Sequence, residues 1–147
     1  MKYVYDDGGR AAAGYKGVTG DCACRAITIA TGLPYQQVYD DINELGAAER
    51  MSKHRRRRGK SSARNGIWKP TMKRYMNRLG WTWTPTMFIG SGCKVHLREG
   101  ELPMGNLIVA CSRHLVAVVD GVVHDIYDPT RDATRCVYGY WSKIKWT

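Results

Sequence analysis

The spacing of apolar positions changes once along the chain. Tyr35, Val38, Tyr39, Ile42 and Leu45 recur every three or four residues, the stripe of an amphipathic helix. Pro34 suits its first position and Gly46 its end. An earlier helix is predicted over residues 22–31. Asp21 stands where its carboxylate can accept from the unpaired N–H groups of the first turn, and Gly32 where the chain must leave the helix. A third begins near Pro70, with Met72, Tyr75, Met76 and Leu79 on one face and Gly80 as its stop.

Beyond Gly80 the period becomes that of strands. Trp81-Thr82-Trp83-Thr84 alternates, as does Lys94-Val95-His96-Leu97. Residues 107–111 and 115–119 read as buried strands, and residues 122–127 and 136–141 as their neighbours. A short strand is expected near Tyr3-Val4-Tyr5. Asp120-Gly121 between two apolar runs is a hairpin signal, because a tight turn there needs positive φ. Helices early and strands late indicate an α+β domain, N-terminal helices packed on a C-terminal antiparallel sheet. At 147 residues the chain suits one domain, residues 1–147. No apolar run approaches the ~20 residues of a membrane span, and the first residues lack the pattern of a signal peptide. Five cysteines (Cys22, Cys24, Cys93, Cys111 and Cys136) form an odd set without framework spacing. Reduced thiols in a cytoplasm are therefore expected.

Charge is unevenly placed. Residues 50–98 hold fourteen Lys or Arg and no Asp or Glu, whereas the net charge of the whole chain is +10. Arg55, Arg56, Arg57, Arg58, Lys60 and Arg64 form the densest part, read as a solvated, mobile loop over residues 50–66. Such a run is either a solubilising segment or an electrostatic footprint for nucleic acid or an acidic partner. Trp68, among Arg64, Lys69, Lys73 and Arg74, suits either stacking on a base or packing over the third helix.

Three residues carry candidate chemistry. Cys22 follows the expected helix cap, where the helix dipole and free N–H groups favour a thiolate and could hold an oxyanion. His114 opens a strand, and Asp128 lies beyond the partner strand before Pro129. A thiol needs a base, and the base an acceptor that fixes its ring tautomer. The turn type chooses that acceptor. A two-residue Asp120-Gly121 turn sets His114 opposite Tyr127, on one side with Asp125, while a three-residue turn with a Gly121 bulge brings Asp128 to that side. Zinc held by Cys22, Cys24, Cys93 and His96 lacks the spacing of a zinc knuckle, so no metal is expected. No glycine loop of the phosphate-cradling kind is present, so no organic cofactor is expected either.

Asp21-Cys22-Ala23-Cys24-Arg25-Ala26, then His114-Leu115-Val116-Ala117-Val118-Val119-Asp120-Gly121 and Asp128-Pro129, resembles papain-like cysteine peptidases, nearest those that process bacteriocin leaders. The family's glutamine some six residues before the cysteine is Lys16 here, and its following glycine is Ala23. Ser61-Ser62-Ala63-Arg64-Asn65-Gly66, the stretch from Gly90 to Leu97 and that from Arg135 to Trp141 are similar to small uncharacterised proteins of tailed phages. The resemblance implies a papain-like fold with Cys22 as nucleophile, His114 as base and Asp128 as orienter. It implies a phage-type hydrolase, in host cytoplasm, cleaving a peptide, isopeptide or amide bond of a peptide or protein substrate. The alternative is an inactive binding module on the same fold, whose basic region holds nucleic acid or an acidic host protein. No membrane partner is implied.

Overall fold

Helix α1 (Cys22–Thr31) turns its small and apolar residues, Ala23, Cys24, Ala26, Ile27 and Ala30, into the interior and ends at Gly32, whose φ of 78° is left-handed. Helix α2 (Tyr35–Ala47) buries Tyr35, Val38 and Ile42, the stripe seen in the sequence. It runs on through Gly46 rather than stopping there, because a Cβ at Gly46 would lie 1.9 Å from the Ser61 carbonyl oxygen. Close approach of backbone, not helix termination, explains that glycine. Helix α3 (Lys69–Arg78) follows with Pro70 in its first turn.

The computed structural model describes residues 1–17, 19–50 and 59–143. Its strands are β1 (Lys2–Tyr5), β2 (Trp81–Pro85), β3 (Asn106–Cys111), β4 (His114–Val119), β5 (Val122–Asp125) and β6 (Gly139–Lys143). They form one sheet in the order β1-β5-β4-β3-β6-β2. The fold is α+β as expected, but the sheet is mixed. β1 pairs parallel with β5, so the N-terminal strand adds an edge that the antiparallel expectation lacked. The residues around Lys94 to Leu97 also form no strand. They meet the partner segment only at a His96–Cys136 bridge, flanked by Leu97 N–H to the Arg135 carbonyl and Val137 N–H to the Val95 carbonyl.

Both faces of the sheet are covered, which is why β3 and β4 read as continuous apolar runs. Ile108, Ala117, Trp81 and Trp141 pack with the helices, against Ile27, Val38, Ile42, Tyr75 and Met76. Leu107, Val109, Val116, Val118 and Val123 pack on the other side with Leu97 and Val137 from the irregular segments. Each such aliphatic side chain contributes about 1.5–3 kcal/mol on burial. A disulfide joins Cys93 to Cys136 across those segments, with Cα atoms 5.8 Å apart. The expectation of five reduced thiols is corrected accordingly: Cys22, Cys24 and Cys111 are free. The same bond removes Cys93 from any zinc set.

Residues 59–66 correct the loop expectation in part. Buried Glu49 accepts from the Ser61 N–H at 2.7 Å and from the Ser61 and Thr71 hydroxyls. The Ala63 N–H donates to Asn43 Oδ1 at 2.9 Å, and Ala63 itself is buried. Arg55, Arg56, Arg57 and Arg58 lie outside the described residues. Lys60 Nζ donates to the Ala47 carbonyl at 3.0 Å, and Arg64 is exposed. No helix among the described residues is long and apolar enough to cross a membrane.

Candidate active site

The β4–β5 turn decides which acid meets His114. Asp120 and Gly121 have φ of 48° and 78°, the pair of positive values that a two-residue turn requires. Ala117 pairs with His124, Val118 with Val123 and Val119 with Val122. This register carries Asp125, at the end of β5, to His114, at the start of β4. His114 Nε2 lies 2.6 Å from Asp125 Oδ2, with the two side chains 5% and 3% exposed. Asp128 is not brought to the imidazole. Its Oδ1 accepts the Thr130 N–H at 2.9 Å, so the acid beside His114 is Asp125, not Asp128.

Cys22 is the first residue of α1, and its half-buried thiol meets the same imidazole from the helix side. Burial pushes the thiol up. The hydrogen bond with His114, the Leu115 N–H and the charges of His114 and Arg25 outweigh it, leaving Cys22 below its ordinary value. For His114, burial opposes the charged ring, but Asp125 and Cys22 hold its pKa above the usual imidazole value. With Nε2 committed to Asp125, Nδ1 is left for the thiol. The Tyr127 hydroxyl lies 3.3 Å from Nδ1 and 3.5 Å from Nε2, within hydrogen-bond reach of both, its ring 5.3 Å from the imidazole. Shifts of opposite sense favour a thiolate–imidazolium pair.

The chain matches no family model, no curated protein and no solved structure.

The other free thiols sit in different surroundings. Burial pushes Cys24 up to about 12, and its Sγ lies 3.9 Å from the Tyr35 carbonyl oxygen. Burial also raises Cys111, to about 11. Among the described residues no group of three or more His, Cys, Asp or Glu is arranged to hold a metal ion.

Asp21 acts differently from expectation. Its side chain makes no capping bond to the helix. The carboxylate is buried, accepts the Tyr35 hydroxyl at 2.7 Å, and pairs with Arg25 and with Arg10 Nε at 3.3 Å. These donors outcompete the backbone and leave the first-turn N–H groups of α1 without a side-chain cap. Arg25, buried one turn along from Asp21, also reaches Asp125 Oδ1 at 3.4 Å. A row of buried groups therefore runs Asp21, Arg25, Asp125, His114, and ends at the half-buried Cys22. Sequence reasoning passed over Arg25, and it set Tyr127 opposite His114 without giving it a role. The four-residue spacing of Asp21 and Arg25 was the available sign of an ion pair on one helix face.

Lys16 offers its carbonyl to Arg10 Nη2 at 3.0 Å. The remaining aromatic expectations divide. Trp81 and Trp141 are core, and Trp68 is half-buried with its N–H bonded to Ser61 Oγ at 2.8 Å.

Proposed function

We propose that the chain is a papain-like cysteine hydrolase in which Cys22 is the nucleophile, His114 the general base and acid, and Asp125 the orienter. The carrying observation is the buried 2.6 Å contact between His114 and Asp125, with the other side of the ring turned to a thiol held below its ordinary pKa. The order of parts is further support: a cysteine opening the helix that packs on the strand begun by the histidine, and an acid on the next strand.

The substrate class is a peptide, isopeptide or other amide. The Cys22 thiolate attacks the carbonyl carbon, forming a C–S bond as the carbonyl π pair moves onto oxygen. Uncapped N–H groups at the start of α1 are the donors suited to that oxyanion, where the family relies on a glutamine. The intermediate collapses, the C–N bond breaks, and the His114 imidazolium protonates the departing amine. His114 then takes a proton from water, which attacks the thioester, and Cys22 leaves as thiolate. Asp125 keeps its charge throughout and holds the ring with Nε2–H toward itself. No group beyond these side chains and water is required.

A neutral thiol-directed probe applied to the native protein tests this reading, followed by intact-mass measurement. Labelling at pH 6 should fall on Cys22 alone, vanish in Cys22→Ala and slow sharply in His114→Ala. Equal, slow labelling of Cys22, Cys24 and Cys111 would instead favour the binding module, with the basic residues Lys60 and Arg64 contributing to the surface that holds nucleic acid or an acidic protein. Binding of duplex or single strand would then weaken steeply with salt.

A further inference from the structure

A cavity of about 560 Å³ is lined by Ser112, Arg113, Tyr127, Asp128, Arg131 and Arg135, and Tyr127 connects it to His114. Three guanidinium groups face one carboxylate there, so the lining carries a net +2. Asp128 is already engaged by the Thr130 N–H. Arg113 and Arg131 are exposed and make no ion pair among the described residues. Arg135 is only 7% exposed. It donates to the Ser112 carbonyl at 2.6 Å and to that of Pro129 at 3.5 Å, while its Nε is buried with no hydrogen-bond partner among the described residues. The site therefore joins one fixed, buried cation to two exposed cations in the same lining.

The position of the cavity bears on the reaction. The amine that leaves must take its proton from His114, so the departing half of the substrate lies on the imidazole side of the thiol. Tyr127 joins the two places, its hydroxyl within 3.5 Å of both ring nitrogens and its side chain in the cavity wall. We infer that this cavity is a specificity subsite that recognises a carboxylate on the leaving portion of the substrate through Arg113, Arg131 and Arg135. The inference rests on the hydrolase reading for its placement on the leaving side. Guanidinium forks match carboxylate geometry, and charged hydrogen bonds are the stronger class. The carboxylate has two sources, an acidic side chain near the cleaved bond or the free C-terminus of a short leaving group.

Binding to the Cys22→Ala protein tests the subsite without catalysis. Three short fluorescein-labelled alanine peptides serve as probes: one with a single Glu and an amidated end, one with Gln in its place, and one whose only carboxylate is its C-terminus. At least one carboxylate peptide should bind about tenfold or more tighter than the Gln peptide, and the tighter of the two names the source. Arg113→Asn with Arg131→Asn should erase that preference. Asparagine accepts the positive φ of both positions, 54° and 51°, so the backbone is retained. Lys60→Ala with Arg64→Ala should leave the preference in place. Equal affinities, or no measurable binding of any peptide, would overturn the subsite. So would a preference lost with Lys60 and Arg64 instead.

A mixed peptide library incubated with the intact protein separates this inference from the hydrolase reading. Cys22-dependent cuts should carry Asp, Glu or a free C-terminus within the first few residues after the cleaved bond, and cuts without that enrichment overturn the subsite. Absence of any cut, together with the carboxylate preference in binding, removes the hydrolase and upholds the cavity as a carboxylate site.

Discussion

Asp125→Asn is the substitution that most sharply tests the proposed chemistry, because the surroundings dictate how the new amide must sit. In the native protein Asp125 Oδ1 accepts the Ile126 N–H at 2.7 Å and faces Arg25 Nη2 at 3.4 Å, while Oδ2 takes His114. Both partners of Oδ1 are donors, so an asparagine keeps its oxygen there and turns its NH2 toward His114 Nε2. The ring must then accept at Nε2 and carry its proton on Nδ1, the nitrogen left for Cys22. A ring in that tautomer cannot take the thiol proton, and the thiolate–imidazolium pair is lost. A thiol returned to an ordinary pKa of about 8.5 is ionised at pH 6 in only about one molecule in three hundred. Alkylation of Cys22 by iodoacetamide at pH 6, followed by intact mass, should therefore slow, with about 10²-fold as the limit for a native thiol fully ionised at that pH. At pH 9.5 the rates should converge. Asp125→Ala frees the ring from the wrong tautomer, so its loss at pH 6 should be the smaller of the two, although it is the larger deletion. An Asp125→Asn protein that reacts within threefold of wild type at pH 6 refutes the assignment, as does a larger loss in Asp128→Asn.

Four further outcomes are expected. Contact with Cys22 helps to raise the His114 pKa, so in Cys22→Ala the imidazole midpoint followed by NMR should move down; an unchanged or higher midpoint contradicts the contact. Arg25→Met removes the buried cation between two carboxylates, leaving Asp21 to Arg10 and Asp125 to His114, and should cost about 3–5 kcal/mol in urea unfolding, with Arg25→Lys restoring part of it; a loss below ~1 kcal/mol would show the row of charges to be dispensable. Replacing Cys93 and Cys136 with serine should lower stability by about 2–4 kcal/mol while leaving Cys22 alkylation within about twofold, since the bond ties segments on the sheet face opposite the helices. Gly46→Ala should destabilise by about 1–3 kcal/mol, because the Ser61 backbone stands where its Cβ would go; a neutral effect would show that the contact yields.

How far the sequence reached depends on whether a feature is local. Helix α1 and its left-handed Gly32 follow from the spacing of residues 22–32 alone, and the stripe of α2 from its own period. Cys22 and His114 were likewise readable, one from its place after a helix boundary and the other from its place before an apolar strand. The acid was not, because Asp125 and Asp128 differ only through the turn type. Sequence admits both, and the positive φ of Asp120 and Gly121 settles it. Pairing of β1 with β5 joins residues more than a hundred positions apart, and the Cys93–Cys136 bond spans 43. Neither leaves a local pattern. Asp21 shows the converse failure. Its local signal for a helix cap was sound, but Arg25 and Tyr35 supplied stronger partners, and a buried carboxylate goes where charge and donors are most concentrated.

That displacement of Asp21 has a consequence for the site. A carboxylate that capped α1 would occupy the very N–H groups that an oxyanion at Cys22 needs, and its charge would raise the thiol. By turning to Arg25, Tyr35 and Arg10, Asp21 leaves those groups uncapped and its charge compensated. Arg25 in turn stands between two carboxylates. It neutralises Asp21 and steadies the Oδ1 side of Asp125, so that Oδ2 remains for His114. The same guanidinium contributes to lowering Cys22. One arginine thus serves two buried carboxylates and a half-buried thiol, and the carboxylates would be costly there without it. The residue that sequence reasoning overlooked is the one that ties the start of the helix to the acid beside His114.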